Sequence, residues 1–145
     1  MPSRTIRRII EQQTPLTTPP DITVAEAAKR MKQARVGALI AVDENGKLTG
    51  IFTERDALFR VMAEGLDPTK VLLSQVMTAN PQTIGPDRPF AHALHFMYEG
   101  GFRHVPVVEN GKPLGMISAR DALGPELQQF EDELQDRERI GNILA

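Results

Sequence analysis

The sequence predicts an α/β protein: a tandem pair of β-α-β-β-α motifs related by pseudo-two-fold symmetry, with a short N-terminal segment and a C-terminal helix. Three observations lead there. Residues 15 to 43 match residues 81 to 109 at a constant offset of 66, with Pro15, Thr17, Pro20, Asp21, Ala25, Ala27, Met31 and Val42 falling on Pro81, Thr83, Pro86, Asp87, Ala91, Ala93, Met97 and Val108. The nonapeptide GIFTERDAL at 50 to 58 returns as GMISARDAL at 115 to 123. Each copy also carries two short apolar runs joined by an Asn-Gly turn, a strong hairpin signal. Self-similarity at a fixed period means one structural unit used twice.

The elements follow in order. In each copy a Pro-Asp pair precedes an amphipathic run, marking a loop that gives way to a helix. Phe90, Leu94, Met97 and Gly101 share one face at helical spacing, and Val24, Ala28, Met31 and Arg35 take those places in the first copy. The hairpins run Ala38 to Val42 with Leu48 to Phe52, and Val105 to Val108 with Leu114 to Ile117. Asp43-Glu44-Asn45-Gly46 shortens to Glu109-Asn110-Gly111, a deletion placed where a hairpin turn tolerates it. A second helix runs from Glu54 to about Glu64 and stops at Gly65 and Pro68. The connector Thr69 to Met77 reads as helical, and in the tail Leu127, Phe130 and Leu134 form an apolar stripe on a further helix. The chain thus divides into residues 1–68, 69–124 and a tail 125–145. Units this small are marginal alone, so each sheet should pack on its twin.

Composition narrows the functions. The chain has 145 residues, 41% of them apolar, and a net charge of −2. That charge argues against electrostatic capture of DNA, RNA or membrane. No apolar run reaches membrane-spanning length and the N-terminus lacks a signal-peptide stretch, so a cytoplasmic protein is expected. Cysteine is absent, which removes disulfides, thiolate metal sites and cysteine nucleophiles. No Gly-rich phosphate loop or nucleophile elbow occurs, so no enzymatic activity and no catalytic residue is expected.

The repeated nonapeptide supports two readings. Thr53-x-x-Asp56 and Ser118-x-x-Asp121 have the hydroxyl-x-x-acid spacing of a capping box, and Gly50 and Gly115 would let the strand pass close to a neighbour. The same geometry suits a ligand. A helix start offers free amides and a hydroxyl to an anion, and a carboxylate set slightly back can accept bonds from a ribose diol. Both readings stand on the residues alone.

In element order, duplication and paired Gly-x-x-Thr/Ser-x-x-Asp motifs, the chain resembles the cystathionine-beta-synthase (CBS) domain family, whose members form tandem pairs called Bateman modules. VMTANPQTI before the second copy and RHVPVV within it are similar to that family too. The resemblance covers roughly residues 5 to 124. It implies a non-catalytic regulatory module that senses adenosine-containing ligands, AMP or ATP foremost, with ADP, NAD or S-adenosylmethionine as others, in clefts between the repeats. By position, Asp56 and Asp121 would hold ribose hydroxyls and Thr53 and Ser118 would lie near ribose or phosphate. Arg103 and His104 would meet phosphate, and Thr17 and Thr83 would line the same cleft. Backbone at Thr78, Ala79 and Pro81 would face the adenine, while Arg55 and Arg120 lie within the motif. Gly37-Ala38 stands opposite Arg103-His104, so phosphate recognition should be lopsided. The resemblance further implies a homodimer and a regulated protein partner. The alternative is a protein-protein interaction module that binds no nucleotide.

Two other clusters have bland readings. His92, His95 and Glu99 share a helical face, but the first copy has Glu26, Lys29 and Gln33 there; a polar surface is expected, and no metal. Arg4, Arg7 and Arg8 lack neighbouring aromatics for stacking on bases and read as a solvated element end.

Overall fold

The computed structural model describes residues 4–144 and, within the C-terminal helix, side chains from 132 to 141. The first repeat consists of β1 (Thr17–Thr18), α2 (Val24–Ala34), β2 (Ala38–Val42), β3 (Leu48–Thr53) and a second helix, α3 (Glu54–Asp56), which continues through Ala57–Met62 in π-helical turns. A short helix α1 (Ile6–Ile10) precedes it. The connector holds α4 (Leu73–Val76) and β4 (Thr78–Ala79). The second repeat has α5 (Phe90–Gly100), β5 (His104–Glu109), β6 (Lys112–Ser118), a 3-10 turn over Ala119–Leu123 and then α6 (Gly124–Leu144).

Four strands form one sheet in the order β1-β2-β3-β4, with β1 parallel to β2 and the other pairs antiparallel. One row of partners, Thr17, Ile40, Ile51 and Thr78, crosses the whole sheet in register. β5 and β6 form a second, antiparallel ribbon, and Ile84 bridges Val107 in parallel as Thr18 pairs with Ala41 in the first repeat. The loops at the two hairpin tips share the letters Asn-Gly but fold differently. Asp43 Oδ1 accepts from the amides of Asn45 and Lys47 in the longer turn, whereas Asn110 and Gly111 both take positive φ, 54° and 80°, in the shorter one.

Two apolar cores lie on the helix sides of the sheets, and the chain exchanges segments between them. Val24, Ala27 and Met31 of α2 pack with Leu39, Phe52, Val61 and, from the connector, Leu73 and Val76. Phe90, Ala93 and Met97 of α5 pack with Ile84, Val105, Val107, Ile117 and, from the N-terminus, Ile6 and Ile10. The backbone repeats the exchange: Val24 N donates to Val71 O at 2.9 Å and Leu73 N to Ile22 O at 2.9 Å, while Phe90 N donates to Arg4 O at 2.9 Å and Ile6 N to Arg88 O at 3.2 Å. The sequence boundaries at 68 and 69 therefore divide the motifs but not the packing. The N-terminal segment serves the second repeat, and the connector serves the first.

Gly50 and Gly115 make this exchange possible. A Cβ on Gly50 would lie 2.6 Å from Met77 Sδ, and one on Gly115 would lie 2.8 Å from Ile10 Cβ. In each repeat, the borrowed helix rests directly on a glycine of the strand. Ile40 and Ile51, paired on the opposite face from Leu39 and Phe52, are also buried, as is Pro106 of β5. These residues lie on the sheet faces expected to meet the twin.

Three expectations need correction. The connector is helical only over Leu73–Val76, because Leu72 is extended and bridges Thr23. The second helix of the first repeat widens into π turns, which bury Val61 and leave Leu58, Phe59 and Met62 exposed. In the tail, Leu127 and Phe130 lie outside the described side chains, and Leu134, the described member of the apolar stripe, is exposed.

Candidate functional site

Both copies of the repeated motif form capping boxes. In the first, Asp56 N donates to Thr53 Oγ1 at 3.3 Å and Thr53 N donates to Asp56 Oδ2 at 2.9 Å. In the second, Ser118 N donates to Asp121 Oδ2 at 2.7 Å and the Ser118 hydroxyl approaches the same oxygen at 3.4 Å. The boxes fix each carboxylate just beyond the end of a strand, partly buried.

Beside the first box lies a cleft of about 420 Å³. The first repeat contributes Ile51, Thr53, Arg55, Asp56, Phe59 and Arg60; Thr78, Pro81 and Gln82 follow the connector; Gly100 to His104 come from the second repeat. Of the residues singled out in the sequence, Thr53, Arg55, Asp56, Thr78, Pro81, Arg103 and His104 are brought together here. Thr17, Thr83, Ala79, Ser118, Arg120 and Asp121 are not among the lining residues.

Sheet order explains the separation of Thr17 from Thr78. They share a row but occupy opposite edges, with β2 and β3 between them. Three strand spacings amount to about 14 Å, too far for both to border one small cleft. Ala79 alternates with Thr78 and points to the other face of β4.

Several lining residues were not singled out in the sequence. Arg60 stands one helical turn after Asp56; its Nε lies 3.5 Å from Asp56 Oδ1, and its Nη1 donates to the carbonyls of Val76 and Met77. The i, i+4 spacing was the available signal for this pair. Phe102 reaches the cleft by folding back over the end of α5, where a Cβ on Gly100 would lie 2.0 Å from its ring. No periodicity marks that contact. Arg55 Nη1 donates to Gly101 O at 3.4 Å, joining the two repeats across the cleft.

His104 sits opposite Ser118 on the β5-β6 ribbon. Burial holds its pKa below the ordinary value of 6.5; Glu54, Asp121 and Asp56 oppose that shift, and Arg103 reinforces it. At neutral pH the imidazole is uncharged and can accept or donate one hydrogen bond.

The remaining polar clusters turn to their own chain. Arg4 donates to Asp121 O at 2.9 Å and stacks over Phe90, and Arg7 pairs with Asp87 and Glu109. His95 pairs with Glu99 at 2.8 Å on an exposed face. Among the described residues, no group of three or more His, Cys, Asp or Glu could hold a metal ion, and no helix is long and apolar enough to cross a membrane.

A duplicated β-α-β-β-α unit with a mixed-charge cleft lined from both copies defines the molecule as a tandem-repeat α/β module. The family model described as CBS domain matches residues 6–63 and 73–124, and the chain belongs to the CBS domain family. The CBS domain-containing protein CBSCBSPB3 of Arabidopsis thaliana is 38% identical over 130 residues, covering 90% of this chain and 23% of that protein. The chain thus spans about a quarter of the length of such plant relatives. Among solved structures, the CBS-domain containing protein ATU1752 of Agrobacterium tumefaciens superposes with a TM-score of 0.77 at 30% identity, over 85% of this chain and 99% of that one. The CBS domain pair of protein MJ0100, solved with 5'-methylthioadenosine and S-adenosyl-L-methionine, has a TM-score of 0.78 at 28% identity, over 88% and 99% of the two chains. The CBS domain protein PAE2072 of Pyrobaculum aerophilum, complexed with AMP, has a TM-score of 0.75 at 25% identity, over 87% and 99%.

Proposed function

We propose that this chain is a non-catalytic regulatory module that binds an adenosine-containing ligand in the cleft between its repeats. The observation that carries the reading is the convergence of Thr53 and Asp56 from one repeat with Arg103 and His104 from the other on a single cleft. The partly buried Asp56 carboxylate suits a ribose diol, and Thr78, Pro81 and Gln82 offer backbone groups to a base. Structural relatives with adenosine ligands support the class of ligand.

Binding would change output by favouring one relative orientation of the repeats, in proportion to its different affinity for the two states. The output reaches a protein partner or a second copy of the chain. Leu58, Phe59 and Met62 are 48%, 55% and 72% exposed on one helix, an apolar surface that supports a homodimer.

One observation favours a pure interaction module: Thr53 and Asp56 already satisfy each other as a cap. Calorimetric titration of AMP separates the readings. Asp56→Ala should weaken binding about 10- to 100-fold, as expected for loss of hydrogen bonds to a charged group. Asp121→Ala, outside the cleft lining, should change it by less than about threefold. Both variants should lose a similar ~0.5–2 kcal/mol of stability as cap deletions. Unchanged AMP affinity in Asp56→Ala would defeat the ribose assignment, and no binding of any adenosine ligand by the parent chain would favour the interaction module.

A further inference from the structure

One guanidinium joins two walls of the cleft. Arg60 lines it from the second helix of the first repeat; its Nε faces Asp56 Oδ1 at 3.5 Å, while its Nη1 donates to Val76 O at 3.1 Å and Met77 O at 3.4 Å. Those carbonyls belong to the last residue of α4 and to the residue that ends it, where a helix leaves its carbonyls without intrahelical partners. Arg60 thus caps a helix that is not its own. The next residue, Thr78, pairs with Ile51 in β4 and borders the cleft, with Pro81 and Gln82 just beyond. On the other side, Asp56 Oδ2 accepts from Thr53 N, so the pair with Arg60 holds the carboxylate by its second oxygen.

The second repeat makes the corresponding join with its polarity reversed. Counting on from the repeated nonapeptide, Pro125 falls at the place of Arg60 and has no donor to offer. There the arginine comes from the segment instead: Arg4 donates to Asp121 O at 2.9 Å, and a Cβ on Gly124 would lie 2.9 Å from its Nη1. Arg4 meets the backbone of Asp121, whereas Arg60 meets the carboxylate of Asp56. Among the described residues, the first repeat alone ties its motif carboxylate to the segment that forms another wall of the cleft. With its side chain 51% exposed, Arg60 belongs to neither core, and an ion pair so placed adds little to stability. What the guanidinium supplies is geometry, because its fork presents donors in fixed directions.

We propose that Arg60 is a positioning residue: it holds the Asp56 carboxylate and the Val76 and Met77 carbonyls on one guanidinium, and so sets the spacing between the helix wall and the connector wall without itself holding the ligand. The inference rests on the adenosine reading above and adds the residue that keeps the two walls in register. A ligand that touches Asp56 on one side and Thr78 to Gln82 on the other binds only where that spacing suits it. Losing the tie therefore weakens every such ligand alike, whatever charge it carries.

The test joins calorimetric titration of the full chain with AMP and adenosine to hydrogen exchange read by mass spectrometry, for the parent, Arg60→Gln and Arg60→Lys. Arg60→Gln should weaken AMP and adenosine by the same factor, about 10-fold, and speed amide exchange over residues 76–82 while leaving α2 as protected as before. Arg60→Lys keeps the charge on a single point donor and should recover little of the loss. A loss confined to AMP would make Arg60 a contact of the phosphate, and full recovery by lysine would show that charge alone suffices; either result overturns the positioning role and leaves the adenosine reading intact. Faster exchange throughout the first repeat would make Arg60 a general support of the fold and overturn it too. Failure of both ligands to bind the parent would overturn the adenosine reading and the role of Arg60 in binding with it. Unchanged exchange over 76–82 in Arg60→Gln would overturn the tie itself, whatever the chain binds.

Discussion

Where the second repeat carries Arg103 and His104, the first carries Gly37 and Ala38, and the residues opposite are exchanged as well. Glu54 N donates to Gly37 O at 2.9 Å, and Ala119 N donates to Arg103 O at 2.9 Å, the same bond in both copies. A Cβ on Gly37 would sit 3.1 Å from Glu54 Oε1. In the first repeat a carboxylate thus lies over a glycine; in the second an alanine lies beside an arginine. One backbone plan therefore gives two charge patterns, and a symmetric fold acquires an asymmetric cleft. The cores differ in the same piecemeal way. Thr18 stands at the place of Ile84, buried to 1% exposure, with a hydroxyl that has no hydrogen-bond partner among the described residues.

The largest effects should come from the positions the repeats share. Gly115→Ala drives a methyl into Ile10 Cβ and Cγ2, and Gly50→Ala drives one into Met77 Sδ and toward Thr78 O at 3.0 Å. Overpacking of this kind costs about 1–3 kcal/mol, and chemical denaturation should show it in both variants. The consequences for the cleft should differ. Gly50→Ala displaces β4, which carries Thr78 into the cleft, so AMP affinity should fall along with stability. Gly115→Ala pushes on α1, which contributes no residue to the lining, and should reduce stability alone. Equal losses of affinity would show that the exchanged segments couple the two repeats more tightly than their separate cores imply.

His104 against Ala38 predicts a smaller effect, tied to pH. Burial lowers the pKa of His104 below 6.5, against the pull of Glu54, Asp121 and Asp56 and with the push of Arg103. The free protein therefore holds it neutral at pH 7. A bound phosphate would stabilise the imidazolium, so binding takes up protons and AMP affinity should rise by a few-fold as pH falls from 8 to 6.5. Near pH 6 the ligand's own phosphate begins to protonate, its second pKa being about 6, and the gain should stop. His104→Gln should flatten the profile. The stability of the free protein follows the opposite slope. Below the ordinary histidine value the unfolded chain binds the extra proton first, so this site's contribution falls as pH drops through 6.5 and levels off below the lowered folded value.

Much of this asymmetry was legible in the sequence because it follows from aligning the repeats: Arg103-His104 against Gly37-Ala38 needs no coordinates. The capping boxes and the close-approach glycines were legible because local spacing determines them. What escaped depends on how distant segments meet. Nothing in Ile6 or Ile10 says that they complete the second core, since that exchange is visible only once Gly115 is seen beneath α1. Thr17 was expected in the cleft only through the family resemblance; strand order puts it and Thr78 at opposite edges of the sheet. Phe102 and Arg60 entered the cleft through a ring folded over Gly100 and a helix-borne ion pair, both set by packing.

The smallest predicted effect concerns the ends of the paired helices. Both α2 and α5 finish with the same cap. Val36 N reaches back to Met31 O at 3.1 Å and Phe102 N to Met97 O at 3.2 Å, each passing through a residue with left-handed backbone. In α5 that residue is Gly101, at φ 70°; in α2 it is Arg35, at φ 57°. A non-glycine residue there brings Cβ too close to the neighbouring carbonyl, at a cost of roughly 1–2 kcal/mol. Glycine's greater freedom in the unfolded chain returns part of the gain. Arg35→Gly should therefore stabilise the protein by about 0.5–1 kcal/mol, seen as a higher denaturation midpoint with an unchanged slope. Arg35 is exposed and lies outside the cleft lining, so AMP affinity should not move. A loss of stability would mean that its side chain supports the first repeat in a way the cap geometry does not reveal. A loss of affinity would bring the first repeat's helix end into ligand binding, and the asymmetry between Gly101 and Arg35 would then be functional rather than a tolerated cost.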